Sequence, residues 1–154
     1  MKLNKKQLFN KVEKIAKQVK EELKKEGLIV PVKERDGSIN FDGIRVRKIK
    51  DTFYAVYDRR NKLLVDELNS LQTAIVLANR VASGRQLDDN LIEADRKYGF
   101  QSFKLEIAET RLKKVPLHSE AWFYYDMRRQ HAKECTKKYL EVIQLSYKKL
   151  ANLR

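Results

Sequence analysis

The first stretch of the chain carries apolar residues at helical spacing. Within residues 1–27 they recur at steps of three and four, which places them on one stripe of an α-helix. Gly27 then supplies a residue suited to the left-handed end of a helix. The pattern predicts an N-terminal amphipathic basic helix over 1–27, with the stripe Leu8, Val12, Ile15, Val19 and Leu23.

After this helix the pattern changes from helical to alternating. Residues 44–49 alternate apolar and basic side chains, residues 52–57 are β-branched and aromatic, and residues 63–66 form a third apolar run. We therefore predict an antiparallel three-stranded meander. Two turn signals precede it, Asp36–Gly37 and Asp42–Gly43, because glycine accepts the positive φ of a tight reversal.

A helix is predicted directly after the meander. Asn69 or Ser70 can cap its start, since a short side-chain oxygen accepts from the free amides of the first turn. Gly84 can close it. Together with the strands, this helix makes a small antiparallel β-β-β-α unit within residues 28–86. Its apolar face consists of Leu71, Ala74, Ile75, Ala78, Val81 and Ala82.

Two longer helical patterns fill residues 87–154. The first begins at one of residues 88–90 and stops at Pro116, and Ser119 caps the second. A short turn joins them, so we expect an antiparallel hairpin, part of which protrudes beyond the β-β-β-α unit. The predicted inner seams are Leu91, Ala94, Tyr98, Gln101, Leu105, Ala108, Leu112 and Val115, and then Ala121, Tyr125, Ala132, Cys135, Tyr139, Val142 and Leu153.

The expected architecture is an α+β protein of three parts: an N-terminal helix (1–27), the β-β-β-α unit (28–86) and a C-terminal long antiparallel helical hairpin (87–154). A chain of 154 residues suffices for one compact core. No apolar stretch approaches the roughly 20 residues of a membrane span, which argues against membrane insertion. A single cysteine, Cys135, fits a reducing compartment, and we expect a cytoplasmic protein.

Basic side chains outnumber acidic ones over most of the chain. Thirty-four Lys and Arg stand against 21 Asp and Glu, which gives a formal net charge of +13. The excess is spread over residues 1–87 and 119–154, whereas residues 88–118 are balanced. A folded protein this basic attracts polyanions such as nucleic acid, an anionic membrane surface or an acidic protein. Charge that serves solubility alone is the alternative.

Motifs of enzymes and metal sites do not occur in the sequence. It has no Gly-rich phosphate loop, no dinucleotide fingerprint, no Cys-x-x-Cys pair and no His-Glu-x-x-His. His131 and Cys135 lie four residues apart on one helical face, but Cys135 falls on the apolar seam, where a free cysteine behaves as a small hydrophobe. No oxyanion donor or third group accompanies them. The sequence therefore predicts a non-enzymatic protein without cofactor or metal.

Basic side chains on the first meander strand and in a later turn lie beside aromatic side chains on the adjacent strand. On a small sheet, cations beside aromatic rings can hold phosphates and stack bases. The alternative is an ordinary polar sheet face with the aromatics in the core. The candidate nucleic-acid-binding residues are Arg45, Arg47, Arg59, Arg60, Lys62, Tyr54 and Tyr57.

Four consecutive aromatic residues open the last helix. They are Trp122, Phe123, Tyr124 and Tyr125, and together they cover more than the width of one helical stripe. At least one must therefore leave the hairpin seam. It can pack elsewhere in the chain or contact a partner protein, because aromatic residues dominate the energetics of interfaces. These four residues are the candidate partner-binding site.

The order of elements resembles that of small uncharacterised proteins of T4-like marine bacteriophages. The resemblance covers most of the chain and rests on the segments Tyr54–Asp58, Leu64–Asp66 and Thr73–Asn79, with a basic N-terminal helix before them and a Tyr-containing helical hairpin after them. It implies a viral accessory or virion protein that works in a bacterial cell or in a particle assembled there. It implies no functional residues.

Two functions therefore remain open. The first is a non-enzymatic basic accessory protein that associates with nucleic acid through the meander. The second is a structural or assembly protein that pairs with another copy or a different subunit through its helical hairpin. The dispersed positive charge favours the first.

Overall fold

The computed structural model describes residues 31–50 and 53–151, together with the isolated positions Gln7, Asn10 and Lys14. Apart from those three positions, the predicted N-terminal helix lies outside the described residues. In the described ranges five strands are followed by three helices, which confirms the α+β class. The strands are β1 (Val32–Lys33), β2 (Ile39–Phe41), β3 (Ile44–Ile49), β4 (Phe53–Tyr57) and β5 (Leu63–Leu68), and the helices are α1 (Leu71–Ala82), α2 (Asp89–Leu112) and α3 (Glu120–Ala151).

The strands form one antiparallel sheet in the order β1-β2-β3-β4-β5. The prediction of three strands was therefore wrong in number, because β1 and β2 precede the meander. They contain two and three residues, too few to display an alternating pattern. Their pairing with β3 and with each other, rather than their own sequence, makes them strands.

The turn between β2 and β3 follows directly from its two residues. Asp42 and Gly43 both have positive φ, 53° and 97°, and Phe41 pairs with Ile44 across them. Two positive φ values in a two-residue loop define a type I′ turn, whose twist matches that of the flanking strands. The side chain of Asn40 also accepts a hydrogen bond from the Gly43 amide at 2.6 Å.

β5 extends two residues beyond the predicted end at Asp66. Its pairing with β4 shifts register between Tyr54 and Val56, and Glu67 has a positive φ of 53°. Without this bulge, strict alternation from Val65 would direct Glu67 toward the core. The extra residue instead places Leu68 opposite Tyr54, where Leu68 is fully buried.

One face of the sheet packs against α1. Ile44 and Val46 of β3 contribute to a common core with Leu77 of α1, and all three are buried. Leu91 of α2 and Ile143 of α3 belong to the same core. The base of the hairpin is therefore built into the apolar interior of the sheet and α1. The division of the chain at residues 27 and 86 stays a prediction.

The two long helices fold back on each other as an antiparallel pair. The Arg111 guanidinium lies over the Tyr125 ring and the Lys97 ammonium over the Tyr139 ring. Higher residue numbers in α2 therefore face lower residue numbers in α3. The predicted caps are confirmed: Asp88 accepts from the Leu91 amide and Ser119 from the Trp122 amide. With 24 and 32 residues, the helices measure about 36 and 48 Å.

The inner seam of α3 differs from the prediction. Val142 was placed on the seam, but its side chain is 41% exposed, whereas the neighbouring Ile143 is fully buried. Ala132 and Ile143 are eleven residues, or close to three turns, apart and therefore share one side of α3, whereas Val142 lies about 100° away from Ile143 around the helix.

The start of α1 is capped from another helix. Ser70 occupies the capping position, but its own side chain makes no capping hydrogen bond, contrary to the prediction. The carboxylate of Asp95, fully buried on α2, accepts from the Asn69 amide at 2.7 Å and from the Ser70 amide at 2.9 Å. A negative charge at this end also suits the helix dipole. Asp95 thereby joins the hairpin to α1.

No helix within residues 31–50 and 53–151 offers an uncharged apolar stretch sufficient to span a membrane.

Candidate functional site

Arg45, the first candidate on the sheet, is held by the protein itself. Its Nε lies 3.3 Å from Oε1 of Glu34, and the two side chains are about one-third exposed. The same Glu34 oxygen accepts from the Asn40 side chain at 2.7 Å. Arg45 is therefore partly neutralised on the sheet surface rather than left for a phosphate.

Hydrogen bonds and nearby arginines lower the pKa values of two carboxyl groups at this end of the sheet. The pKa of Glu34 lies below its ordinary value, mainly because the Asn40 side chain donates a hydrogen bond to the carboxylate, with Arg45 adding a second. The pKa of Asp36 is also lowered, chiefly by the Ser38 hydroxyl and amide, with a smaller contribution from the charges of Arg47 and Arg45. Both carboxylates remain negative at neutral pH and oppose the binding of an anion at this end of the sheet.

Asn40→Ala is expected to raise the pKa of Glu34 toward its ordinary value, because the largest source of the shift is removed. A carboxyl group with a lowered folded-state pKa stabilises the fold above its unfolded pKa and loses this contribution as the pH falls through the folded value. The stability difference between wild type and variant should therefore shrink in acid. An NMR pH titration measures the pKa of Glu34 in both proteins. If the pKa were the same in Asn40→Ala as in the wild type, Arg45 and not Asn40 would be the main cause of the lowered value.

Arg47 and the two tyrosines do not form one cluster. Arg45 pairs with Tyr57 and Arg47 with Ala55 across the strands, so these residues share one face, and the Arg47 guanidinium lies 5.1 Å from the Tyr57 ring. Tyr54 points to the opposite face and packs against the core. Tyr54 is therefore not placed to stack a base beside Arg45 and Arg47.

The remaining sheet candidates lie in the β4–β5 turn. Arg59 reaches across the turn at Gly43, donating from Nε to the Asp42 carbonyl at 3.0 Å and from a terminal nitrogen to the Ala82 carbonyl at 3.4 Å. It thus caps the end of α1. Arg60 and Lys62 are exposed, and their amides donate to the Asp58 carboxylate, which shapes the turn.

The aromatic run divides between packing and exposure. Trp122 and Tyr125 are half-buried, whereas Phe123 and Tyr124 are exposed. The Phe123 ring stacks on His118 and meets Trp122 edge to face, so these three rings form a small group at the start of α3. Tyr124 lies on another side of the helix, beside a groove between α2 and α3.

This groove, called the hairpin groove below, has a volume of about 660 Å³ and lies between the outer parts of α2 and α3. Its apolar floor and sides include Ile107, Ala108, Met127 and Ala132. None of the described residues that line it is Asp or Glu. Its basic side chains are Lys104, Arg111, Arg128 and His131.

Each of the fully charged groups in the hairpin groove lies over an aromatic ring. The Lys104 ammonium is 4.6 Å from the centroid of Phe100, and the Arg128 guanidinium is 4.7 Å from that of Tyr124. Arg111 lies 5.6 Å from the Tyr125 ring. A ring holds a cation in place through its quadrupole without cancelling its charge. The groove therefore presents ordered, uncompensated positive charge.

Inspection of the sequence did not single out this groove, although a signal was available. Lys97, Lys104 and Arg111 are spaced seven residues apart, and such a spacing places side chains along one edge of a helix, about 10 Å apart. The second wall comes from α3, however. Which residues of α3 face this edge depends on the relative position of the two helices, which spacing alone does not give.

The His131–Cys135 pair lies beside the hairpin groove. The Cys135 sulfur is 3.7 Å from Nε2 of His131, which is a weak hydrogen bond within one turn of helix. Among the residues that the structure describes, no group of three or more His, Cys, Asp or Glu side chains is placed to hold a metal ion.

Comparisons with known proteins bring no relative to bear on this site. No protein-family model matches the chain, and searches of curated proteins and of solved structures give no match either.

Proposed function

We propose that the protein is a non-enzymatic nucleic-acid-associating protein that uses the hairpin groove to hold phosphates. One observation carries the proposal: Lys104, Arg111 and Arg128 line the same groove, and none of its described lining residues carries a carboxylate. The net charge of +13 adds long-range attraction for a polyanion. Candidates on the sheet have weaker support, since Arg45 and Arg59 already contact acidic side chains.

The chemistry of these side chains suits phosphate. All three are exposed, and an arginine stacked on a ring keeps its N–H donors at the edge of the guanidinium plane. Hydrogen bonds from a charged donor to a phosphate oxygen are roughly twice as strong as neutral ones. The exposed Arg60 and Lys62 support a secondary contact at the sheet. A cytoplasmic site of action, in a bacterial host or a virion as the phage resemblance implies, fits such a ligand.

The triple variant Lys104→Gln, Arg111→Gln and Arg128→Gln is expected to bind a DNA oligonucleotide about 10-fold or more weakly at low salt. The dependence of the logarithm of affinity on the logarithm of salt concentration should also flatten by about 2, since each phosphate contact on single-stranded DNA contributes roughly 0.7. Fluorescence anisotropy titrations at several salt concentrations measure both quantities.

A charge-matched control is the variant Lys133→Gln, Lys137→Gln and Lys148→Gln, whose three lysines are exposed on α3 and do not line the groove. We expect it to lose far less affinity, although both variants have the same net charge. Equal losses would show that overall charge rather than the groove governs binding. Absence of wild-type binding to DNA and RNA at low salt would refute the proposed function.

A second function, assembly through the hairpin, is favoured by one observation. Phe103, Leu117, Phe123 and Met127 are more than half exposed on the outer part of α2, the connecting turn and α3. Phe123 and Met127 are one helical turn apart, and neighbouring exposed apolar side chains are typical of protein interaction surfaces. Light scattering separates the two functions, because self-assembly requires a mass that increases with protein concentration.

A further inference from the structure

We infer that the ligand of the hairpin groove is single-stranded nucleic acid, with phosphates held by the groove cations and bases stacked on Phe100 and Tyr124. This inference rests on the proposed function and adds the class of nucleic acid. Its starting point is that a groove cation on each helix lies over an exposed aromatic ring. Phe100 belongs to α2 and Tyr124 to α3.

Both rings are open to solvent where they lie. Phe100 is 58% exposed and Tyr124 is 47% exposed, although each has a cation within 5 Å of its centroid. Leaving an aromatic ring in water forgoes the free energy of burying its apolar surface. A base that stacks there would bury the exposed part of each ring.

The pairing of ring and cation matches the two parts of a nucleotide. A phosphate can draw on the Lys104 ammonium or the Arg128 guanidinium, while the planar base stacks on the adjacent ring or on the guanidinium plane itself. Lys104 of α2 and Arg128 of α3 line the groove, and Phe100 and Tyr124 lie just outside it against these two cations. Different nucleotides of one strand therefore contact Lys104 with Phe100, and Arg128 with Tyr124.

The choice of a single strand follows from the accessibility of the base faces. In a duplex these faces are stacked on one another, so only phosphates and base edges are offered to a protein surface. An unpaired strand exposes the faces and allows them to stack on aromatic side chains. An acidic peptide would engage the same cations, but its aliphatic and carboxylate side chains would not gain from the flat ring faces.

The test uses variants that remove the ring and keep an apolar side chain. Phe100→Leu and Tyr124→Leu retain charge and much of the apolar surface but cannot stack, and leucine is a good helix former. Phe123→Leu is the matched control, because this exposed ring packs with His118 and Trp122 rather than beside the groove cations. Each protein is titrated with a thymidine oligonucleotide of about 12 nucleotides, with a duplex of the same length, and with heparin, a polyanion without bases.

The inference predicts three results. The wild type prefers the single strand over the duplex, each groove variant loses about 10-fold in affinity for the single strand, and neither variant loses affinity for heparin. Phe123→Leu binds all three ligands like the wild type. Equal binding of single strand, duplex and heparin, with no effect of either groove variant, overturns the single-strand inference and leaves phosphate binding in place. Failure to bind any of the three overturns the proposed function as well.

An acidic protein ligand has its own outcome in this experiment. If an amphipathic peptide rich in glutamate displaces the oligonucleotide at a lower concentration than unlabelled oligonucleotide does, the groove prefers a peptide, and the single-strand inference fails.

Discussion

Asp95→Ala is expected to lower the free energy of unfolding by about 3 kcal/mol. The Asp95 carboxylate is fully buried and accepts from two backbone amides, those of Asn69 and Ser70, at the start of α1. Removing it leaves both amides without their acceptor, and each unsatisfied buried donor costs about 1–3 kcal/mol. The variant also loses a negative charge at the N-terminal end of the helix dipole.

Urea denaturation followed by circular dichroism measures this loss. Glu93→Ala is the matched control, because Glu93 lies two residues earlier on α2, is exposed, and pairs with Lys97 within one turn. Exposed helical pairs of this spacing contribute about 0.3–0.5 kcal/mol. If Asp95→Ala were no more destabilising than Glu93→Ala, the capping of α1 from α2 would not be a stabilising contact.

Gly99→Ala is expected to destabilise the protein by about 2 kcal/mol, although alanine normally stabilises a helix by about 1 kcal/mol relative to glycine. A Cβ at position 99 would overlap the side chain of Asn69. Asn69 is held in place because its side chain donates to the Asp95 carbonyl at 3.2 Å. Relief of the overlap therefore requires loss of that hydrogen bond or a shift of α2.

A double-mutant cycle identifies the cause. In the Asn69→Ala background the overlapping atoms are gone, so Gly99→Ala should become stabilising by up to about 1 kcal/mol. The change of sign, measured by thermal or urea denaturation, is the expected signature of direct contact. If Gly99→Ala were equally destabilising in both backgrounds, the glycine would be required for some other reason.

These two positions show how the hairpin is anchored. Asp95 and Gly99 are one turn apart on α2, and both contact the segment between β5 and α1. With Leu91 and Ile143 in the shared core, they fix the base of the hairpin. The hairpin groove lies farther from this base, in a region where apolar side chains are exposed. Substitutions in the groove should accordingly change binding with little change in stability.

The tertiary contacts favour a candidate site on the hairpin over one on the sheet. Arg45 on the sheet and Arg59 in the β4–β5 turn were predicted to contact phosphates, but sequence spacing does not reveal that Glu34 and Asp42 reach them. In the hairpin groove, tertiary contacts gather cations, and none of the described lining residues carries a carboxylate. Lys104 and Arg128 are 24 positions apart in the chain, and only the fold brings them to one groove.

Local chemistry was enough to predict several features of this protein. The two glycine turns, the caps at Asp88 and Ser119 and the left-handed Gly84 after α1 were all predicted, because each depends on residues within one or two turns of each other. The positive net charge is likewise a property of composition alone.

Only the tertiary structure decided the remainder. β2 is a strand because it pairs with β3, and β1 because it pairs with β2. Ile143 is buried because α1 and α2 close over it, and Asp95 caps a helix whose capping residue, Ser70, lies 25 positions before it. Each of these depends on groups that are distant in the chain. The free energy that stabilises these features comes from contacts between distant residues, and the order of apolar and polar residues along the chain does not specify those contacts.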